Sequence, residues 1–345
     1  MVKLQLRACA PLDYLRTHLR IARTYFYTYF YNDHFSLSYA FDTLLEPLIW
    51  LVDNFTKVLG PCFVAAVLAL NSSVVAIAYV VGLPYYWSKN PSLAVFLVIF
   101  GQFFFVNVVF HYWKAITLGP GVPPTSDSTR LPQIVSICKK CISPKPPRTH
   151  HCSVCDRCHL KMDHHCPWLN NCVGHFNHRH FFLYMVYTVA GCLFLMVFGF
   201  EILYEELFGE GRGLPEFETL PRKAVIIYEA FITSGCFLVL GFLALWHAKL
   251  ITRGETSIEA HINASERKRM KALGKEYKNP YDFTPWYNWC LFLGMIEGRG
   301  WTAVLWPSLH TPKGNGLTFD TIYECNIQWN DYFHLPDRTE GIKLA

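Results

Sequence analysis

Cys138-Lys139-Lys140-Cys141, then His150-His151-Cys152-Ser153-Val154-Cys155-Asp156-Arg157-Cys158, then Asp163-His164-His165-Cys166-Pro167-Trp168-Leu169-Asn170-Asn171-Cys172: this stretch decides the fold. It places seven cysteines and five histidines within 35 residues. Cys138-x2-Cys141 and Cys152-x2-Cys155 have the spacing of zinc knuckles, in which two thiolates bite one tetrahedral ion. Two structural zinc ions use about eight ligands, most simply six Cys and two His. Seven cysteines therefore leave one thiol over. The segment is short and polar, so metal must supply its folding energy. Disulfides are the alternative, and a reducing compartment disfavours them. Spacing alone does not say which thiol is spare. Only Cys166, however, follows an acid and two imidazoles, Asp163-His164-His165, directly in sequence.

Outward from this cluster the chain is a membrane protein. Hydrophobic residues make up 52% of its 345 residues and charged residues only 17%, below the usual quarter. Four apolar stretches, roughly 58–84, 93–113, 180–202 and 224–250, reach the ~20 helical residues needed to cross the hydrocarbon core. Polar residues inside them, Asn71, Gln102 and Asn107, are expected to face other helices. The expected organisation is all-α and polytopic. Residues 1–57 form an N-terminal and interfacial segment, and 58–113 spans one and two. Residues 114–179 form the zinc domain, 180–250 spans three and four, and 251–345 the C-terminal region.

Orientation follows from Lys and Arg in the loops. Residues 114–179 carry nine, 251–278 seven and the first 57 residues six, whereas 83–92 carries one and 203–223 three against five Glu. Both termini and the Cys/His segment are thus expected in the cytosol. The aromatic run from Tyr25 to Tyr31 suggests an interfacial segment, with a short helix around 43–52. The basic run 266–278 is expected at the membrane surface, against lipid. Gly119-Pro120-Gly121 ends the second span. There is no pattern of interleaved aromatic and basic residues of the nucleic-acid-binding kind, so no nucleic acid partner is expected.

The full pattern, from Cys138-x2-Cys141 through His150-His151-Cys152-x2-Cys155-x2-Cys158 and Asp163-His164-His165-Cys166-Pro167-Trp168 to Asn170-Asn171-Cys172-Val173-Gly174, resembles the cysteine-rich domain of DHHC protein S-acyltransferases. Thr256-Ser257-Ile258-Glu259 resembles that family's TTxE element. Asn279-Pro280-Tyr281-Asp282 with residues 288–294 resembles its C-terminal membrane-associated motif. Gly119 departs from it, standing where the family often has Asp. The stretches 46–54 and 253–259 most resemble members of the ER and Golgi.

The resemblance implies four spans with the zinc domain between the second and third. It implies one zinc on Cys138, Cys141, His151 and Cys158 and a second on Cys152, Cys155, His165 and Cys172. Cys166 is then the free nucleophile, with His164 as its base and Asp163 orienting the imidazole. It would take a palmitoyl group from acyl-coenzyme A and pass it to cysteine thiols of protein substrates. Trp168, Phe181 and Tyr184 are expected along the acyl-chain cavity, Gly191 at its far end, and Lys145 and Arg148 at the coenzyme phosphates. A membrane-anchored zinc scaffold or ring-like module is the competing reading, and it leaves Asp163-His164-His165-Cys166 without a purpose.

Overall fold

The computed structural model describes residues 37–124, 136–209 and 221–323, together with 16, 18–23 and 215. The aromatic run at 25–31 lies outside these. By its contacts the chain divides into residues 1–55 and 56–345, and the site lies wholly in the second unit. Helix α1 (Leu37–Ile77) passes through a π-helical turn (Ala78–Gly82) into α2 (Leu83–Lys89), and α3 follows (Pro91–Thr117). The short helix expected around 43–52 is therefore part of a much longer one. Next comes the cysteine-rich segment, then α4 (His178–Phe208), α5 (Arg222–Thr252), α6 (Ser257–Ala272), α7 (Pro285–Leu293) and the single turn α8 (Thr302–Leu305).

Among the described residues, four helical stretches are long and apolar enough to cross a membrane: Trp50–Lys89, Pro91–Thr117, His178–Phe208 and Arg222–Thr252. Each extends beyond its apolar run at one or both ends, because flanking residues continue the backbone ladder. The third span packs against both the second and the fourth. Intramembrane polar groups join helices: Gln102 donates to the Tyr79 hydroxyl, and the Ser73 and Tyr228 hydroxyls are 2.8 Å apart. Asn107 is buried and bonds its own helix at the Phe103 carbonyl, 2.9 Å away.

Between spans two and three the chain makes three antiparallel hairpins: β1 (Ser136–Cys138) with β2 (Ser143–Lys145), β3 (His150–Cys152) with β4 (Arg157–His159), and β5 (His164–Cys166) with β6 (Asn171–Val173). Three-residue strands cannot bury a core of their own. They are held to the spans by side chains that cap helix ends, whose last carbonyls lack intrahelical partners. Asn171 Nδ2 donates to the Ala115 and Leu118 carbonyls at 3.1 and 3.0 Å. Asn177 Nδ2 donates to Leu118 at 3.0 Å and to Cys172 at 2.8 Å. Two glycines permit close approach: a Cβ on Gly174 would lie 2.6 Å from the Leu160 carbonyl, and one on Gly60 of α1 would lie 2.0 Å from the Asn170 amide. A Cβ on Gly119 would meet nothing within 4 Å.

The C-terminal region caps span four in the same way. Asn279 and Asn288 donate to the Arg253 and Thr252 carbonyls at 2.9 and 3.0 Å. Thr256 and Glu259 form a capping box that starts α6. Glu259 also forms a bidentate pair with Arg148 at 2.6 and 2.5 Å, while the guanidinium donates to the Gly254 carbonyl and stacks 4.2 Å from the Tyr281 ring centre. In the basic run after it, Arg267 pairs with Glu255 and Arg269 with Glu266.

Burial alone would raise the Glu259 carboxyl; Arg148 outweighs it and holds the group below the ordinary carboxylate range. Its stabilising share is therefore present above the unfolded value of about 4.3 and is lost as pH falls through the lower folded value. Removing one partner of such a buried pair strands the other charge, so Glu259→Ala is expected to destabilise by about 3–5 kcal/mol. Arg148→Met with Glu259→Leu is expected to cost clearly less. Denaturation in detergent, followed on full-length protein, compares the two.

Candidate active site and zinc centres

Strand geometry builds the site. Successive side chains of a strand point to opposite faces. In β5, His165 therefore points one way, and His164 and Cys166 point the other. His165 pairs across the hairpin with Cys172, and in β3 His151 pairs with Cys158. Each cross-strand couple brings an imidazole and a thiol to one place, and a CxxC turn from the preceding hairpin completes each set.

Cys138, Cys141, His151 and Cys158 offer ligand atoms within 4.8 Å of one another, and so do Cys152, Cys155, His165 and Cys172. In the first set His151 Nδ1 lies 3.1 Å from Cys141 Sγ and 3.7 Å from Cys138 Sγ, and Cys158 Sγ lies 3.8 Å from Cys141 Sγ. In the second, His165 Nδ1 lies 3.3, 3.5 and 3.8 Å from Cys155, Cys172 and Cys152, and Cys155 and Cys172 Sγ are 3.5 Å apart. A tetrahedral zinc with Zn–S about 2.3 Å and Zn–N about 2.0 Å requires ligand separations of roughly 3.5–3.8 Å. Both sets thus fit the ion in geometry and in donor chemistry. The backbone N–H groups of Cys141 and Cys155 turn back to the first sulfur of their pairs at 3.4 and 3.3 Å, the hydrogen bonds that orient metal-bound thiolates. No cysteine among the described residues is in a disulfide. The sets share the middle hairpin, so the ions would join hairpin one to two and two to three.

On the other face of β5 lies a buried polar constellation. Asp163 is 1% exposed. Its Oδ2 accepts from His164 Nδ1 at 2.7 Å and from Ser257 Oγ at 3.0 Å, and its Oδ1 accepts from the Ser257 N–H at 2.7 Å. Burial alone would raise this carboxyl; His178 and the hydrogen bond from His164 outweigh burial and hold it well below the carboxylate range. Burial likewise pushes the His164 imidazole down, but Asp163 and the Cys166 side chain together push it up, to about 9. The ring stands edge-on to Phe181, 5.2 Å away, and 5.8 Å from the ring of His247 on span four. Cys166 is buried with Val108, Tyr112, Leu169 and Phe181, at the top of the apolar core between the spans.

The remaining site residues expected from sequence divide. Phe181 reaches the constellation, and Tyr184 packs beneath it on Tyr112, with ring centres 5.0 Å apart. Trp168 is exposed, meets Phe63 of the first span at 5.1 Å, and accepts at its carbonyl from the Tyr112 hydroxyl. Gly191 lines a cavity of ~340 Å³ between the spans, which extends along α4 from Thr188 to Leu203, so Gly191 lies near the end closest to Cys166 rather than at the far end expected from sequence. Lys145 is half-buried in β2. Arg148, expected at a phosphate, instead commits its Nε and Nη2 donors to Glu259 and Gly254, because a largely buried guanidinium needs partners for its charge. Sequence reasoning did not single out Ser257 as Asp163's donor, nor His178 and His247. For His247 the one signal was a histidine inside an apolar span, where ionisable groups are costly; His178 lies in the segment assigned to the zinc domain and carried no such signal.

Comparison with known proteins agrees with this arrangement. The DHHC palmitoyltransferase model matches residues 133–264. Palmitoyltransferase ZDHHC16A of Danio rerio is 40% identical over 349 residues, covering 89% of this chain and 90% of its own. The chain belongs to the DHHC palmitoyltransferase family. Palmitoyltransferase ZDHHC16 of Mus musculus is 44% identical, covering 91% of this chain and 89% of its own, and that of Homo sapiens is 41% identical with the same coverage. The likeness thus spans the four helices and the C-terminal caps as well as the cysteine-rich domain, and the chain is of the ZDHHC16 type within the family.

If the two sets each hold one ion, purified protein carries two zincs per chain. Cys172→Ser is expected to lower that count and unfold the hairpins, whereas Cys166→Ser leaves it at two. Elemental analysis of detergent-purified protein reads both.

Proposed function

We propose that this palmitoyltransferase works through an acyl-enzyme on Cys166. Palmitoyl-coenzyme A is the donor and cysteine thiols of protein substrates are the acceptors. The observation that carries this reading is the face-sharing of His164 and Cys166 on β5, with Asp163 buried behind the imidazole. A free thiol has a pKa near 8.5 and only a small thiolate fraction at neutral pH. His164 takes its proton, and Asp163 fixes the tautomer that leaves the outer nitrogen facing the thiol and stabilises the charged ring. The Cys166 thiolate attacks the thioester carbonyl, the carbon–sulfur bond to coenzyme A breaks, and the coenzyme thiolate leaves. The charged His164 passes its proton to the departing coenzyme thiolate. In the second half the acceptor thiol gives its proton to His164 and attacks the acyl-Cys166 carbonyl, the bond from the acyl carbon to Cys166 breaks, and His164 returns the proton to the Cys166 thiolate. Zinc ions held by the two Cys3His sets would keep the hairpins folded, and four protein ligands apiece would leave no open position for the reaction.

The acyl chain is assigned to the cavity between the spans. Phe181 and Tyr184 stand on the same helix before the cavity, whose lining runs from Thr188 past Gly191 to Leu203, ~18 Å of helix beyond Gly191 at ~1.5 Å per residue. Each buried CH₂ contributes about 0.8 kcal/mol, which explains why the reaction belongs inside a bilayer. Lys145 remains the candidate for the coenzyme phosphates from the sequence reading. Basic residues around the hairpins and after span four support a cytosolic zinc domain and cytosolic termini, and the likeness at 46–54 and 253–259 supports residence in the ER or Golgi.

Incubation with labelled palmitoyl-coenzyme A is expected to give a hydroxylamine-sensitive adduct. It is expected to be absent in Cys166→Ser and to form at least ~10²-fold more slowly in Asp163→Asn, the lower range for loss of a positioned base. An adduct unchanged in Cys166→Ser would sink the assignment. The depth below Gly191 predicts that chains longer than sixteen carbons compete well with palmitoyl. Gly191→Phe is expected to shift the preference toward shorter chains in a chain-length competition.

A further inference from the structure

The carboxylate of Asp163 has more imidazole around it than the acyl transfer uses. His164 bonds it directly. His178 Nε2 lies 4.0 Å from Oδ1, and His247 approaches from span four. His178 and His247 are 4% and 2% exposed. Neither ring nitrogen of His178, nor Nδ1 of His247, has a hydrogen-bond partner. Buried polar atoms are nearly always partnered, so unpartnered nitrogens beside a carboxylate point to a missing ligand. Asp163, His164 and His247 each offer one ligand atom within 4.8 Å of the other two, the same closeness that marks the two zinc sets.

We propose that Asp163, His164 and His247 form a third, exchangeable site for a zinc-class divalent ion, and that the ion, when bound, withdraws His164 from Cys166 and stops acyl transfer. Two imidazoles and one carboxylate suit zinc and its neighbours, whereas magnesium and calcium prefer sets of oxygen ligands. Three protein donors leave the coordination open, and His164 keeps part of its side chain in contact with the surface, so the ion binds more weakly than at the closed Cys3His sites and can leave. Ser257 holds the carboxylate from behind through its N–H and hydroxyl, the orienting role that metal-bound carboxylates require. The exclusion is one of protonation: a metal on Nδ1, the nitrogen beside Asp163, leaves the ring proton on the outer nitrogen that faces Cys166, so that nitrogen can no longer accept the proton of the thiol. The inhibitory half rests on the assignment of Cys166 and His164 above; the metal-binding half does not.

The test uses the full chain in detergent, brought to its two structural zincs and titrated with zinc in a chelator-buffered series. Bound metal and Cys166 acylation are read separately on the same samples. The expected result is a further equivalent taken up at higher free zinc, with acylation falling at least ~10-fold along the same curve, and both changes reversed by a chelator strength that leaves the structural pair in place. His247→Gln is expected to keep two equivalents and bind the further one ~10- to 100-fold more weakly, the scale seen when a metal site loses part of its support. Should His247→Gln not retain the structural pair, Asp163→Asn is read by the same metal count. Saturation of the unmodified chain at two equivalents overturns the proposal, as does a further equivalent unaffected by either substitution. Uptake of the ion with acylation unchanged overturns its inhibitory half. Absence of acylation at two equivalents instead contradicts the Cys166 reading and leaves the metal count standing.

Discussion

A strand turns its side chains over at every residue, and β5 is only three residues long. Within His164-His165-Cys166 the middle residue must face one side and its neighbours the other. Cross-strand pairing with Cys172 commits His165 to a metal set, and that commitment forces His164 and Cys166 together on the opposite face. A one-residue slip in register would exchange the faces, putting the thiol among the metal ligands and the second imidazole toward the spans. The proposed chemistry is therefore a consequence of which residue the metal takes. On this proposal the metal would take no part in the reaction itself, but the placement of the thiol would depend on it.

The hairpins are too short to hold that register alone, and the spans hold it for them. Asn171 and Asn177 satisfy the last carbonyls of span two, while Asn279 and Asn288 do the same for span four. Helix ends need such partners in any case; here the partners belong to the site or to the segment beside it. Arg148 in the middle of the cysteine-rich segment and Glu259 just after span four close the remaining side. Ser257, two residues before Glu259, holds Asp163. The element after span four therefore orients the acid behind the proposed base and simultaneously docks the hairpins to the membrane helices.

Much of this was legible in the sequence, and for physical reasons. Apolar length announces a span without any knowledge of packing, and CxxC spacing announces a metal because two thiolates must reach one ion. The surplus thiol followed from counting. What was not legible depends on three-dimensional neighbours. Arg148 looked like a cation available for phosphate, and only the fold shows Glu259, 111 residues later, occupying it. The resemblance marked Thr256-Ser257-Ile258-Glu259 as a motif but could not say that Ser257 donates twice to Asp163. His178 and His247, 69 residues apart in sequence, carry no shared signal until the fold sets both near one carboxylate. Helix ends were misjudged because hydropathy falls off before the backbone ladder does, as in α1, which joins the short helix expected around 43–52 to the first span without a break.

The central claim is that the metals occupy six of the seven clustered thiols and leave Cys166 alone on the other face of β5. Thiol footprinting tests it most directly: brief treatment of the zinc-loaded, native chain with a small alkylating reagent, followed by mass-spectrometric mapping of the seven sites. The account predicts modification of Cys166, with Cys138, Cys141, Cys152, Cys155, Cys158 and Cys172 protected until the metal is stripped. Modification of any of those six while both ions are retained, or protection of Cys166 that disappears only when metal is removed, would contradict it.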